Sequence, residues 1–350
     1  PRKWKNGIIS VGYRSVNNDA AIQTISYNSN YEMANIDHLV IETNYAMYVR
    51  QLVLDNTHAI FTYRQSGSAY LQVISCNSNG DSLTKLGNKL RFDYYENTAE
   101  FYIINETSSY IYFIMVFTGS SDYDGYLQTF KVDRNTWAIS SIDKIEYDTD
   151  SGWDCSMAQI DSTHYIVSNN GGSGKGYIRT FSVDADGSNI TKIDELQHES
   201  TNCQHTALCK IDDAHFVLAY KGANDDGYIK MFSIDSSYEI TQIDSLEHDT
   251  VEAQNNSIIA LDSKHVALVY KQSSTGYLKI FSINSNYGIN QLSSTSFGTS
   301  NSSQIISKLD NDHFVIGYTG SSDDAYLKIY YVEMPDNEER NNVLFYAMNF

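Results

Sequence analysis

Apolar and polar residues alternate in short runs along the whole chain, with the period of two that is typical of β-strands. In the run "DGYIKMFSID" at 226–235, Tyr228, Lys230 and Phe232 alternate with the residues between them. Clusters of Asp, Gly, Asn and Ser separate successive runs, as turn residues do. No stretch shows a convincing 3.6-residue period, so the sequence predicts an all-β protein with almost no helix.

The run is one copy of a repeat, with close matches in "KGYIRTFSVD" at 175–184 and "TGYLKIFSIN" at 275–284. Copies recur about every fifty residues and contain four strand signals each, which is the pattern of a β-propeller blade. We therefore predict a single seven-bladed β-propeller over residues 1–350, with four antiparallel strands per blade. The repeat anchors, one per blade, are Ala21, Tyr70, Tyr126, Tyr177, Tyr228, Tyr277 and Tyr326.

Ring closure can be predicted from the ends of the chain. The first clear strand signal, "GIISVGY" at 7–13, resembles a second strand of a blade, and the last is "NVLFYAMNF" at 342–350. A missing inner strand would open the channel wall, whereas a missing outer strand only exposes an edge. We therefore expect 342–350 to pair with the N-terminal blade as its inner strand.

Charge and composition narrow the set of partners. The net charge is −19, from 24 Lys and Arg against 43 Asp and Glu, and such a field disfavours nucleic acid. No apolar run is long enough to cross a bilayer. The four cysteines match no zinc-site spacing, and a disulfide between Cys155 and Cys203 stays open at this point.

The most regular polar motif is Asp-x-x-His, which recurs at the expected turn between the first two strands of a blade. An acid and an imidazole at this spacing could serve catalysis or metal binding. Copies spread around a ring cannot converge on one substrate, and Asp is a common turn residue, so we predict a structural turn. The copies are Asp55/His58, Asp161/His164, Asp212/His215, Asp262/His265 and Asp310/His313.

The loops between the second and third strands concentrate oxygen-bearing side chains. Such loops could hold Ca²⁺, although none matches a complete calcium-binding loop. The alternative is a hairpin loop kept polar by solvent. No other cofactor is predicted, and the calcium candidates are Asp122, Asp124, Asp225, Asp226, Asp323 and Asp324.

The loops from the fourth strand to the next blade should lie on the same face as those loops. Aromatic rings flanked by carboxylates and amides suit a sugar ring, which stacks through C–H groups and hydrogen-bonds through hydroxyls. The alternative is that these are ordinary surface loops in repeat register. The predicted ligand-binding residues are Tyr147, Trp153, His198, His205, His248, Asp249 and Asn255.

The repeated "DGYIKxFSID" unit resembles that of lectin-like or phage- and cell-envelope-associated propellers. The near-identical blades, which favour multivalent weak contacts, and the acidic surface lead us to expect a non-catalytic propeller that recognises glycans or a protein surface, at an extracellular, cell-surface or virion location. A second hypothesis is an assembly domain of a fibre, appendage or adhesin. A third is an enzyme acting on polysaccharides, in which one blade should break the repeat with its own acids, as "DTDSGWD" at 148–154 does.

Overall fold

The computed structural model describes residues 1–5, 7–15, 17–43, 46–94, 96–119, 123–300, 304–320, 325–333 and 344–348. Within these ranges the chain forms seven antiparallel sheets of four strands each. Each sheet consists of four consecutive strands paired in sequence order. The seven-bladed β-propeller predicted from the repeat is therefore confirmed.

The blades follow one another along the chain. The strands of blades one to three are β1 (Arg2–Lys5), β2 (Ile8–Arg14), β3 (Ala20–Tyr27), β4 (Met33–Glu42), β5 (Ala46–Val53), β6 (His58–Gln65), β7 (Ser68–Ser75), β8 (Thr84–Asp93), β9 (Glu96–Glu106), β10 (Tyr110–Gly119), β11 (Asp124–Asp133) and β12 (Ile139–Asp148). Those of blades four and five are β13 (Trp153–Gln159), β14 (His164–Asn170), β15 (Gly176–Ser182), β16 (Thr191–Glu199), β17 (Gln204–Lys210), β18 (His215–Lys221), β19 (Gly227–Ile234) and β20 (Ile240–Asp249). Those of blades six and seven are β21 (Gln254–Asp262), β22 (His265–Gln272), β23 (Thr275–Ile283), β24 (Ile289–Thr299), β25 (Gln304–Lys308), β26 (His313–Thr319), β27 (Ala325–Glu333) and β28 (Leu344–Met348).

Helix is as scarce as the sequence predicts. Among the described residues it is limited to two three-residue 3₁₀ turns, Gly172–Gly174 and Ala223–Asp225. Both lie between the second and third strands of their blades, where a polar hairpin loop was expected.

The core lies between neighbouring blades. One apolar cluster joins Val217 and Met231 of blade five to Val266 and Leu268 of blade six, and all four side chains are fully buried. A single blade would leave both of its apolar faces in water. Packing blades in a ring buries both faces, which is why the sequence repeats.

The predicted route of ring closure is wrong. β28 pairs with β27, so the C-terminal strand is the outer strand of blade seven. The inner strand of blade one is β1, which pairs with β2 and is too short and too basic to stand out in the sequence. Blade seven meets blade one through side chains, since Lys3 Nζ donates to Leu309 O at 2.7 Å and Ser307 Oγ donates to Pro1 O at 2.6 Å.

The glycine of the repeated Gly-Tyr pair is required by a close approach. A β-bulge in the fourth strand adds one residue opposite this position, and its side chain lies on the glycine. A Cβ on Gly227 would stand 2.5 Å from His248 Cε1, and one on Gly276 would stand 2.2 Å from the ring of Phe297. Any larger residue here would separate the third strand from the fourth.

Candidate functional site

The inner strands surround a channel of about 940 Å³. We call the end where these strands begin the upper mouth and the end where they finish the lower mouth. Polar groups line the upper part of the wall, including Glu100, Ser156, Thr206 and Asn256. The residues that line the channel therefore differ from blade to blade, although the rest of each blade is closely similar.

Glu100 is the carboxylate of the upper wall. Its Oε2 accepts a hydrogen bond from Met157 N at 2.7 Å, and both its oxygens lie 3.2 Å from Ser156 Oγ, which donates. The side chain is half-buried, so the carboxyl keeps access to the channel. It links the inner strand of blade three to that of blade four.

Serine forms the same link elsewhere in the ring. Ser156 Oγ accepts from Leu208 N at 3.0 Å, and Ser257 Oγ accepts from Ile306 N at 3.2 Å. A short neutral side chain is therefore enough to satisfy this backbone N–H. The contact between blades does not explain why blade three carries a charge here.

The environment of Glu100 favours its neutral form. Burial raises the pKa of this carboxyl, and the hydrogen bonds from Met157 and Ser156 and the charges of Arg2 and Arg50 only partly oppose that effect. Arg2 lines the channel, and Arg50 stands on the inner strand of the preceding blade. The carboxyl therefore has a raised pKa within the electrostatic influence of two guanidinium groups, and perturbed pKa values of this kind are common in active sites.

In several inner strands, one residue near the upper end has a positive φ angle. The inner strands of blades four, five and six are bulged there, and Asp154, His205 and Asn255 have φ values of 52°, 53° and 53°. Asp154 Oδ2 accepts from His205 N at 2.9 Å, and the His205 ring lies 3.9 Å from Asp154 Oδ1. Bulges at the rim of a barrel re-aim side chains and often lie next to active sites.

Two of the predicted ligand-binding residues are next to channel-lining residues in the sequence. His205 and Asn255 directly precede Thr206 and Asn256, which line the wall. Burial lowers the pKa of His205, and the nearby Asp154 carboxylate opposes that shift. Their contact with a ligand stays a prediction.

Three other predicted residues are buried rather than exposed on the rim, and their contact with a ligand stays a prediction. Tyr147, His198 and His248 are 8%, 9% and 7% exposed. They occupy the bulge of the fourth strand and cover the glycine of the third. Burial is the main cause that lowers the pKa of His198 and of His248 to about 3, so both rings are neutral core residues.

The last two predicted residues have structural partners. Asp249 accepts from Tyr270 at 2.5 Å and from Lys279 at 3.4 Å, which ties blade five to blade six. Trp153 stacks on Tyr123, with ring centroids 4.6 Å apart. In the repeat, Tyr147, His198 and His248 occupy the same position as Phe297. This correspondence was the signal in the sequence that could have identified them as core residues rather than rim residues.

The calcium candidates are only partly covered by the structure, since Asp122, Asp323 and Asp324 lie outside the described residues. Asp225 is held by Lys221 at 2.7 Å, and Asp124 and Asp226 are buried. The described residues contain no group of three His, Cys, Asp or Glu that could hold a metal. Ca²⁺ binding stays a prediction.

The Asp-x-x-His motif is the structural turn that was predicted. In the copy at 161–164, Asp161 Oδ1 accepts from Thr163 N at 2.9 Å and from His164 N at 3.0 Å, and the imidazole Nδ1 lies 2.9 Å away. All four cysteines lie in the described ranges, and none of them forms a disulfide. The open question of a disulfide between Cys155 and Cys203 is thereby answered.

Glu100 and Arg50 are the site residues that sequence reasoning missed. Both stand at the repeat position that Ser156 and Ser257 occupy, so a register alignment of the inner strands would have shown two opposite charges on neighbouring blades. Blade three does break the repeat with an acid, but with Glu100 rather than with "DTDSGWD".

Comparison with known proteins supports the fold. No protein-family model and no curated protein matches the chain. A protein of Lactobacillus plantarum has a TM-score of 0.69 at 12% identity, over 94% of this chain and 93% of its own. A candidate 6-phosphogluconolactonase of Bacteroides uniformis reaches 0.68 at 12% identity, over 97% and 94%. The periplasmic gluconolactonase PpgL of Pseudomonas aeruginosa reaches 0.68 at 10% identity, over 98% and 94%.

Likeness at this level of identity shows the fold alone, but the names of the similar structures contradict the functional prediction. The non-catalytic binding propeller was inferred from the near-identical blades and the acidic surface, beside a resemblance to lectin-like and envelope-associated propellers. The similar structures that carry an activity in their names are lactonases instead. The prediction of a non-catalytic binder or assembly domain is therefore wrong, as is the expectation that the chain is not an enzyme.

Among the described residues, no helix has the length and apolarity to cross a bilayer.

Proposed function

We propose that this chain hydrolyses the ester bond of a sugar lactone in its central channel, with Glu100 as the general base. The observation that carries the proposal is a half-buried carboxyl on the channel wall, at a position where serine satisfies the same structural need. The names of two similar structures supply the reaction class. Glu100, Arg2 and Arg50 supply the catalytic groups of the proposed reaction.

The reaction needs a water molecule, a base and a group that accepts charge. The water oxygen bonds to the lactone carbonyl carbon while Glu100 takes the water proton. Arg2 and Arg50 bring positive charge to this part of the wall, where the carbonyl oxygen becomes negative. The ring C–O bond then breaks, Glu100 returns the proton to the alkoxide, and a hydroxy acid leaves.

The raised pKa of Glu100 suits this role. A carboxylate at its ordinary pKa is a weak base at neutral pH, and burial moves the carboxyl towards the working range. The hydrogen bonds from Ser156 and Met157 fix its orientation and leave lone pairs on both oxygens.

The decisive experiment compares two Glu100 variants on glucono-1,5-lactone, with acid release measured above the spontaneous rate. Glu100→Ser keeps the acceptor that blades four and six use, and Glu100→Gln keeps the size. Both should lose about 10²- to 10⁴-fold in kcat with little change in stability. Ser257→Ala removes an equivalent link and should leave kcat within about twofold, which controls for the loss of a contact between blades.

The proposal fails if the wild-type protein does not exceed spontaneous hydrolysis on glucono-1,5-lactone or its 6-phosphate. It also fails if Glu100→Ser retains full activity. Circular dichroism of the variant separates a lost base from a lost fold.

Location, cofactor and partner follow from the same proposal. We propose that the chain acts outside the cytoplasm, as the predicted extracellular, cell-surface or virion location requires, and the name of one similar structure, a periplasmic gluconolactonase, supports this. Its partner is a small substrate rather than a glycan or protein surface. The proposed step needs no cofactor, and assay after dialysis against a chelator tests the predicted Ca²⁺. Cell fractionation tests the location.

A further inference from the structure

Three lysines line the channel near its lower mouth. Lys3, Lys210 and Lys308 stand near or at the ends of the inner strands of blades one, five and seven. Blades seven and one are neighbours in the ring, and blade six separates Lys308 from Lys210. The three ammonium groups thus belong to one side of the lower mouth.

Each lysine makes one bond to the backbone of the preceding blade. Lys3 Nζ donates to Leu309 O and Lys210 Nζ donates to Ile160 O, both at 2.7 Å, and Lys308 Nζ donates to Leu261 O. An ammonium group has three donors, so two stay available on Lys3 and Lys308 beyond this bond. Lys210 also meets Asp213 at 2.9 Å, a fully exposed carboxylate whose attraction water screens.

The fold does not need charge at this position. It lies two residues before the Asp of the Asp-x-x-His motif, where blade two has Val53, blade four has Gln159 and blade six has Ala260. These blades close onto their neighbours without an ammonium group. The lysines of blades five and seven, with the small Ala260 between them, therefore call for an explanation other than packing.

The charge of the channel also contrasts with that of the whole chain. The net charge is −19, yet the channel wall carries Arg2 and the three lysines against the carboxylates Glu100 and Asp161. Concave sites with low-dielectric walls focus such a field and concentrate ions of the opposite sign. The ligand suited to the lower mouth is a small anion with oxygen acceptors.

We propose that the lower mouth is an anion subsite that binds the carboxylate of the hydroxy acid formed by lactone hydrolysis. This inference rests on the proposed function, which supplies the anion. A lactone is neutral at its ester group, and addition of water converts that group into a hydroxyl and a carboxylic acid that loses its proton at neutral pH. The subsite therefore distinguishes product from substrate by charge and draws the product towards the lower mouth.

The test measures gluconate binding to the Glu100→Ser variant by calorimetry, so that binding is separated from turnover. Lys210→Ala and Lys308→Ala reproduce the Ala260 of blade six and should fold normally. Each should weaken gluconate binding about fivefold, and the double variant more than tenfold. Lys192→Ala removes an exposed lysine outside the channel, and it should leave the affinity unchanged.

Neutral sorbitol distinguishes charge recognition from recognition of hydroxyl groups. It should show at least tenfold weaker binding than gluconate and no response to the lysine variants. Equal affinities for gluconate in the parent and the double variant would overturn the subsite, even if lactone hydrolysis is found. Gluconate binding that depends on Lys210 and Lys308, in a protein without lactonase activity, would retain the subsite and reject the proposed function.

Discussion

Tyr238 of blade five stacks on His164 of blade four, with their ring centroids 3.7 Å apart, and its hydroxyl donates to Asp161 Oδ2 at 2.8 Å. We call this contact the clasp. Through this contact, the Asp-x-x-His turn of one blade is bound to a side chain of the next blade. The corresponding clasps are Tyr287 on His215, Tyr31 on His313 and Trp137 on His58.

The ring and the hydroxyl of Tyr238 should each contribute to the free energy of unfolding, and two variants can separate the two contributions. Tyr238→Ala should lower the free energy of unfolding by about 1–2 kcal/mol, because it removes both the stacked ring and the hydroxyl. Tyr238→Phe keeps the ring and should lower it by about 0.5–1 kcal/mol. Urea unfolding measures both, and Ser237→Ala in the same loop is the control. Equal stability of Tyr238→Ala and wild type would show that the stack is incidental.

The buried histidines predict acid sensitivity. The pKa of His198 and of His248 is about 3 in the folded state, below the ordinary value of about 6.5 for an unfolded histidine. The unfolded chain therefore binds these protons first, and stability falls as pH drops from about 6.5 towards 3. The slope should be about 1.4 kcal/mol per pH unit for each histidine.

Phe297 provides the matched replacement for these histidines, since it fills the same bulge in blade six. The double variant His198→Phe, His248→Phe should keep the fold and flatten the decline between pH 6.5 and pH 4. Thermal unfolding across this range tests it. An unchanged slope would assign the acid sensitivity to other groups.

Truncation of the Arg179 side chain should cause a large loss of unfolding free energy. Its guanidinium is buried, lies 2.9 Å from Asp148 and 2.6 Å from Glu195, and donates to Asn169. Arg179→Ala leaves the buried Asp148 without its cation and should cost about 3–5 kcal/mol of unfolding free energy. Chemical denaturation measures this loss, and a cost below about 1 kcal/mol would contradict it.

The neighbouring blades suggest a compensating change. Blade five has Lys230 and Tyr220, and blade six has Lys279 and Tyr270, at the positions of Arg179 and Asn169. Arg179→Lys alone should destabilise the protein, because a lysine cannot donate to two carboxylates and an amide in one plane. Adding Asn169→Tyr should recover part of that loss. If the second substitution recovers no stability, the cation of the third strand and its partner on the second strand do not act as a unit.

The cysteines predict slow thiol chemistry in the native protein. Burial raises the pKa of Cys209 to about 12 and also raises the pKa of Cys203, so little thiolate exists at neutral pH. A thiol reagent should modify all four cysteines in denaturant and at most one within the same time in buffer. Rapid native modification of Cys203 would contradict its burial.

Much of the architecture could be predicted because it is written in local patterns that recur. Alternation around Tyr228 and the spacing of the Gly-Tyr pairs depend on strand geometry and turn chemistry alone. β1 was missed because four residues with a single apolar core side chain, Trp4, carry no periodicity. The outer strand β28 was assigned to the wrong blade because its own residues do not show whether it pairs with the preceding strand β27 or with the N-terminal blade.

The candidate site was harder to predict for a related reason. His198 and His248 look like loop residues in the sequence, and only the bulge opposite Gly176 and Gly227 places them in the core. Glu100 looks like one acid among 43 acidic residues, and only the folded ring buries it and raises its pKa, against the opposing charges of Arg2 and Arg50.

The amino-acid sequence by itself determined the repeat, the strand content, the number of blades and the acidic surface, since each depends on residues close together along the chain. The tertiary structure alone decided which strand closes the ring, which aromatic residues are buried and which charges meet in the channel. These outcomes depend on burial and on distances between separate strands and blades, where the relevant energy comes from desolvation and from charges brought together by the ring.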